Sequence, residues 1–217
     1  MSRLSDLELS DAAGLLRTTP GGLSLVCGHY EVIILNMTKS ELDERVRWDD
    51  LDLGHLTLFV PLLSRELPFV LFGGEENGSE VTDKMTATIN EVLALPPEDL
   101  GKVKELLWEE CNFAFQVTDY GVEREEGESS LAAHLREFGI SGPDAAFDQS
   151  EFGEIHIRGG FAGRYAAIKV TTGSESSVSI IVKDGRIVDF DDDGTHLGWF
   201  DADEQHAQHK RKKLLEG

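Results

Sequence analysis

The sequence predicts an α+β protein: antiparallel sheets with a central group of helices and a C-terminal β-meander. Three observations predict it. Segments rich in Val, Ile and Leu come first, apolar residues at helical spacing follow, and strand-like segments return from Glu151. Strands, then helices, then strands is the order of an α+β fold. The last strands are joined by links of two to six residues, which suits an antiparallel meander.

The elements follow in order. Residues 1–20 read as a short helical lead-in that stops at Thr18-Thr19-Pro20-Gly21-Gly22. Residues 23–37, LSLVCGHYEVIILNM, read as two strands or one bent strand, with a break at Gly28. Residues 56–60 and 69–72 form another apolar pair, and residues 73–78, GGEENG, a loop. Ser79-Glu80-Val81-Thr82-Asp83 starts a helix whose apolar positions are Val81, Met85, Ile89, Val92 and Leu93. Pro96-Pro97 ends it. Pro97-Glu98-Asp99 then opens a second helix, since Pro fits the first turn and acids favour a helix N-terminus. Ser129-Ser130 caps a third, which closes at Gly139, and residues 143–147 add a helical turn. Strands are expected at 154–158, 165–171, 178–182, 186–190 and 196–200, with Asp184-Gly185 as a hairpin turn. The expected seam is the acidic loop 123–128. It separates an N-terminal β-plus-helix part (1–120) from a C-terminal helix-plus-sheet part (121–205), and a basic tail (206–217) is expected to be disordered.

Charge is the most unusual property of the chain. There are 41 Asp+Glu against 20 Lys+Arg, a formal net charge of −21. With 40% apolar residues this is a folded acidic protein, not an acidic tail. Such a charge repels nucleic acid and anionic lipid and attracts basic proteins, so no nucleic-acid or membrane partner is expected. Residues 210–217 carry net +3 and the remainder −24. The two cysteines, Cys27 and Cys111, sit beside apolar residues and read as buried free thiols. The N-terminus has no signal-peptide pattern, and the expected location is cytoplasmic.

Catalytic signatures are absent from the sequence. It has no G-x-S-x-G elbow and no Walker A, and its glycine-rich RGGFAG (158–163) joins two strands instead of opening a helix. No enzyme activity and no cofactor are expected. Asp189-Phe190-Asp191-Asp192-Asp193-Gly194 matches the first half of a calcium loop, so Asp189, Asp191 and Asp193 are metal-ligand candidates. Phe200, however, stands where the loop needs its bidentate Glu. His206 and His209 share a face if helical, but lie in a basic tail.

Acidic clusters beside aromatic residues are the remaining candidates, because carboxylates steer a basic partner and an aromatic anchors it. The first contains Asp43, Glu44, Asp49, Asp50 and Asp52 around Trp48. The second contains Glu123, Glu125, Glu126 and Glu128, with Tyr120 nearby. The third contains Asp189, Asp191, Asp192 and Asp193, with Asp201 and Asp203, and with Trp199.

The segment VTDYGVEREEGESSLAAHLREFGI (117–140), with DAAF, RYAAIKV and IIVKDGRIVDFDDDGTHLGWFD after it, resembles a family of acidic bacterial α+β domains. The resemblance covers residues 112–202, about half the chain. Such domains look like the immunity proteins of polymorphic-toxin systems. The resemblance carries over no catalytic residue. With the charge, it implies an inhibitor that neutralises a basic, nuclease-type toxin. A metal-binding domain built on residues 189–193, or a structural subunit kept soluble by its charge, are the alternatives.

Overall fold

A computed structural model describes residues 15–19, 22–27, 30–34, 36–73, 78–192 and 194–216, with side chains from residue 36 onward. The chain divides into two compact units, Met1–Met37 and Thr38–Gly217. In the first, β1 (Leu15–Thr19), β2 (Gly22–Cys27) and β3 (Tyr30–Ile34) form an antiparallel sheet in that order. The segment 23–37 is therefore two strands. The expected helical lead-in is a strand at 15–19, and its first fourteen residues lie outside the described ones.

In the second unit the helices begin where local chemistry starts them. Thr38 caps α1 (Lys39–Arg45) in a reciprocal box: its N–H donates to Glu41 Oε2 at 2.7 Å and its hydroxyl accepts from Glu41 N at 3.3 Å. Thr82 caps α2 (Asp83–Leu93), which buries Met85, Ile89 and Val92 at helical spacing. α3 (Asp99–Val117) follows the two prolines and buries Val103, Leu107, Cys111 and Ala114. Ser129 caps α4 (Ser130–Glu137), and Gly139 stops the turn after it at φ 66°. α5 (Pro143–Asp148) completes the central group.

These four helices, α2 to α5, connect in sequence the third and fourth strands of a seven-stranded sheet. Its strands are β4 (Arg47–Trp48), β5 (Leu53–Val60), β6 (Arg65–Phe72), β7 (Glu151–Arg158), β8 (Tyr165–Thr171), β9 (Ser177–Lys183) and β10 (Arg186–Asp191). Their spatial order is β10-β9-β8-β7-β6-β5-β4. A 3₁₀ turn (Pro61–Leu63) links β5 to β6. β7 to β10 pair antiparallel in sequence order, as a meander does. The Asp184-Gly185 hairpin has φ 46° and 75°, both positive, as a tight two-residue turn requires. β6 pairs with β7 in parallel, so the sheet is mixed and not antiparallel throughout. A parallel pair needs a long crossover, and the four helices supply it.

Burial along the strands tells which faces are covered. Leu71, Ile157, Ala166 and Val182 lie side by side across four strands, and so do Phe69, Ile155, Ile168 and Ile180; all are buried. α2 packs on this face, touching β5, β7 and β8. β5 then alternates strictly: Leu56, Leu58 and Val60 are buried, while His55, Thr57 and Phe59 are exposed. In β9 all of Val178 to Val182 are buried, and in β10 all of Ile187 to Asp191, so these strands are covered on both faces. The second cover is a core of Tyr165, Ala167, Ile181, Val188, Leu197, Phe200 and Ala207.

Three expectations differ from the structure. Residues 199–202 form a helix, α6 (Trp199–Ala202), where a strand was expected; Leu197 and Phe200 are buried three residues apart, a helical spacing. The tail is not disordered over 206–216 but forms α7 (His206–Glu216), docked through buried Ala207 and Arg211. The pairing of β6 with β7 joins the two parts that the expected seam would separate, because the interstrand bonds run across it. No helix among the described residues is long and apolar enough to cross a membrane.

Candidate functional site

The first acidic cluster lies at the β4 edge of the sheet and the third beyond its β10 edge. Six strand positions separate these edges in the sheet order, so the two clusters sit on opposite edge strands.

At the β4 edge, the turn from β4 to β5 is built by its own acids. Asp49 Oδ1 accepts from the N–H groups of Leu51 and Leu53, both at 2.9 Å, and Asp49 Oδ2 pairs with His55 Nε2 at 3.0 Å. The His55 contact, then the two amides, hold this carboxyl below the usual aspartate range. Asp52 sits at φ 58° and accepts from Ser79 Oγ at 2.6 Å, which ties the turn to the segment before α2. Asp43 pairs with Lys39 at 2.9 Å, and Glu80 and Asp83 also act on the Lys39 ammonium. Asp43, Glu44 and Asp50 face solvent. Leu51, at the tip of this turn, is 78% exposed. Trp48 is half-buried and its ring lies over Gly54, where an added Cβ would come within 3.0 Å of it. Trp48 thus supports the edge, and Leu51 is the apolar group it presents.

The second cluster is a braced loop. Arg136 grips Glu128 with two bonds of 3.0 Å, and Glu125 N–H donates to the same carboxylate. The Glu128 carboxyl is pulled down to about 2, first by Arg136 and then by the Glu125 amide. Glu123, Glu125 and Glu126 remain exposed. Tyr120 turns inward, its hydroxyl donating to Ser174 O at 3.0 Å and its ring set edge-on to Phe115.

In the third cluster, Asp189 and Asp191 are buried, Asp192 is exposed and Asp193 lies outside the described residues. Asp189 accepts from Phe190 N, Gln208 N and Arg211 Nη2 at 2.8, 2.9 and 2.9 Å, so its oxygens serve the docking of α7. Trp199 is 46% exposed and stacks on His196 at 4.6 Å. His209 pairs with Asp203 at 2.7 Å while His206 packs on Trp199 and Phe200. Among the described residues no group of three His, Cys, Asp or Glu side chains is placed to hold a metal ion.

Two features escape a reading by clusters. Along β7, Glu154, His156 and Arg158 point to the second face of the sheet, at the border between its open and covered parts. His156 Nε2 meets Glu154 Oε1 at 2.5 Å, and the Arg158 guanidinium lies 4.6 Å over the Phe72 ring. Burial, reinforced by Lys169 and Arg158, lowers the His156 pKa although Glu154 opposes it. The alternation E-x-H-x-R was visible in the sequence as a strand signal. The other feature is Glu110 on α3, buried and raised to about 7 by desolvation, although a Ser176 hydrogen bond and Arg211 act against the rise. Beside it Cys111 is a buried free thiol, its pKa also raised by burial.

No family model, no curated protein and no solved structure matches this chain.

Proposed function

We propose that the chain is an acidic binding protein of the immunity type, which neutralises a basic, nuclease-type bacterial toxin in the cytoplasm and has no catalytic activity of its own. The β4 edge is its contact surface. The observation that carries this reading is Leu51, 78% exposed between Asp50 and Asp52 on a turn that Asp49 and Ser79 hold rigid. A rigid apolar tip within carboxylates suits a cationic partner. The acids steer the encounter, and burying the leucine supplies about 1.5–3 kcal/mol. A nuclease active site must be basic to hold phosphates, and carboxylates are the groups that occupy such a site in their place. The net charge of −21 and the resemblance over residues 112–202 support the same reading.

Binding to the product of the neighbouring gene tests it. Leu51→Ala should weaken the complex by about tenfold, mainly through faster dissociation, while Asp50→Asn slows association. Unchanged constants in both variants would remove the β4 edge as the contact surface.

A further inference from the structure

We infer that the surface beneath α7 is a guanidinium-binding site, filled in cis by Arg211 and open to an arginine of the basic partner, which makes α7 a releasable strap. The nature of the trans ligand rests on the proposed function; the site itself does not.

The site is built for a guanidinium. Asp189, 2% exposed, is fixed by the Phe190 amide at 2.8 Å and takes from α7 both the Gln208 amide and Arg211 Nη2, each at 2.9 Å. Arg211 Nη1 donates to Phe190 O at 3.0 Å, and the guanidinium plane sits 3.4 Å from the centre of the Phe190 ring. A carboxylate, a carbonyl and an aromatic face together match the fork and the flat surface of arginine, not the ammonium of lysine. Glu109 and Glu110, from α3, interact electrostatically with the same group, although burial raises the pKa of both.

Besides Arg211, the helix is held by Ala207, the Gln208 amide on Asp189 and a Lys210–Asp192 pair at 3.4 Å. Ala207 and Arg211 are its buried residues, Leu214 and Leu215 are exposed, and seven of its eleven residues face solvent. Eleven residues do not form a stable helix alone. The three residues 203–205 join α6 to α7. Along α3 the strap leaves a groove of about 810 Å³, lined by Trp108, Phe113 and Leu215 and reaching Arg211. Exchanging one arginine for another leaves no buried carboxylate unpaired, so it avoids the penalty of removing a partner. Because α7 competes at high effective concentration, an incoming helix needs further contacts, which Trp108 and Phe113 offer.

A labelled peptide of residues 204–217, added in trans to the full chain, tests this. It should bind the Arg211→Met chain at least about tenfold more tightly than the unaltered chain. A peptide bearing Arg211→Met should bind neither, and Asp189→Asn in the Arg211→Met chain should abolish binding. Equal peptide affinity for both chains overturns the inference. Should Arg211→Met not fold, amide exchange of the unaltered chain decides: faster exchange in α7 than in α3, accelerated by salt, supports the strap, and equal protection overturns it. No toxin enters these assays, so their failure leaves the β4-edge reading standing, and failure of that reading leaves cis occupancy measurable.

Discussion

The two halves of the seven-stranded sheet solve the same problem differently. At β8 to β10 both faces are buried, one against the helical layer and the other under Leu197, Phe200 and Ala207. At β4 to β6 one face is buried and the other presents His55, Thr57 and Phe59 to solvent. The sequences differ accordingly. SVSIIVK in β9 is a nearly continuous apolar run, while LGHLTLFV in β5 alternates. Polar groups follow the same division. In the covered half, charges are matched in place: Arg211 with Asp189, and Lys183 with Asp201, Glu204 and the Phe200 carbonyl. In the open half the edge carries the solvent-facing carboxylates Glu44 and Asp50 and an exposed leucine. The buried core is concentrated on one side, and the proposed contact edge lies on the other.

The largest predicted effect tests that division. Phe200→Ala removes a fully buried ring and should cost about 3–5 kcal/mol in denaturant unfolding. Phe59→Ala, at 49% exposure, should cost less than about 1 kcal/mol. Similar costs at the two positions would break the comparison.

A pH effect comes next. The Glu110 pKa is raised in the folded state, so its uncharged form fits the fold. The resulting penalty is absent below the unfolded value of 4.5, grows as pH rises, and is complete above about 7. Glu110→Gln should therefore stabilise the protein by up to ~3 kcal/mol at about pH 8 and change little at about pH 4. Thermal unfolding across this range reads the crossing, and a constant difference would contradict it.

The smallest effect lies at the border of the two halves. The His156 imidazole should titrate below the ordinary value of 6.5, read by NMR of the ring protons. Glu154→Gln should move the midpoint lower still, because the carboxylate favours the charged ring while burial, Lys169 and Arg158 oppose it. An upward move would show that Glu154 does not face His156.

Local chemistry made much of this fold legible. The caps at Thr82 and Ser129, the stop at Gly139 and the Asp184-Gly185 turn each act within a few residues, and each is present. What was not legible depends on distant partners. The pairing of β6 with β7 closes over four helices and leaves no local mark. α7 is a charged helix whose docking depends on Asp189, 22 residues earlier in the chain. The same limit governs the candidate site. Composition located the acidic clusters, but Asp52 is engaged by Ser79, 27 residues away, and Glu128 by Arg136, so neither is a free carboxylate. Leu51, between acids in a turn, reads as loop, and only the path of β4 and β5 places it at the tip of an edge.

The central claim is that the acidic β4 edge receives a basic partner. Stopped-flow association with the product of the neighbouring gene, from about 20 mM to about 300 mM salt, tests it most directly. The account predicts that association slows by about tenfold or more over this range, and that neutralising Asp43, Glu44 and Asp50 together flattens the slope. A rate independent of salt, or a slope unchanged by the triple substitution, would contradict it.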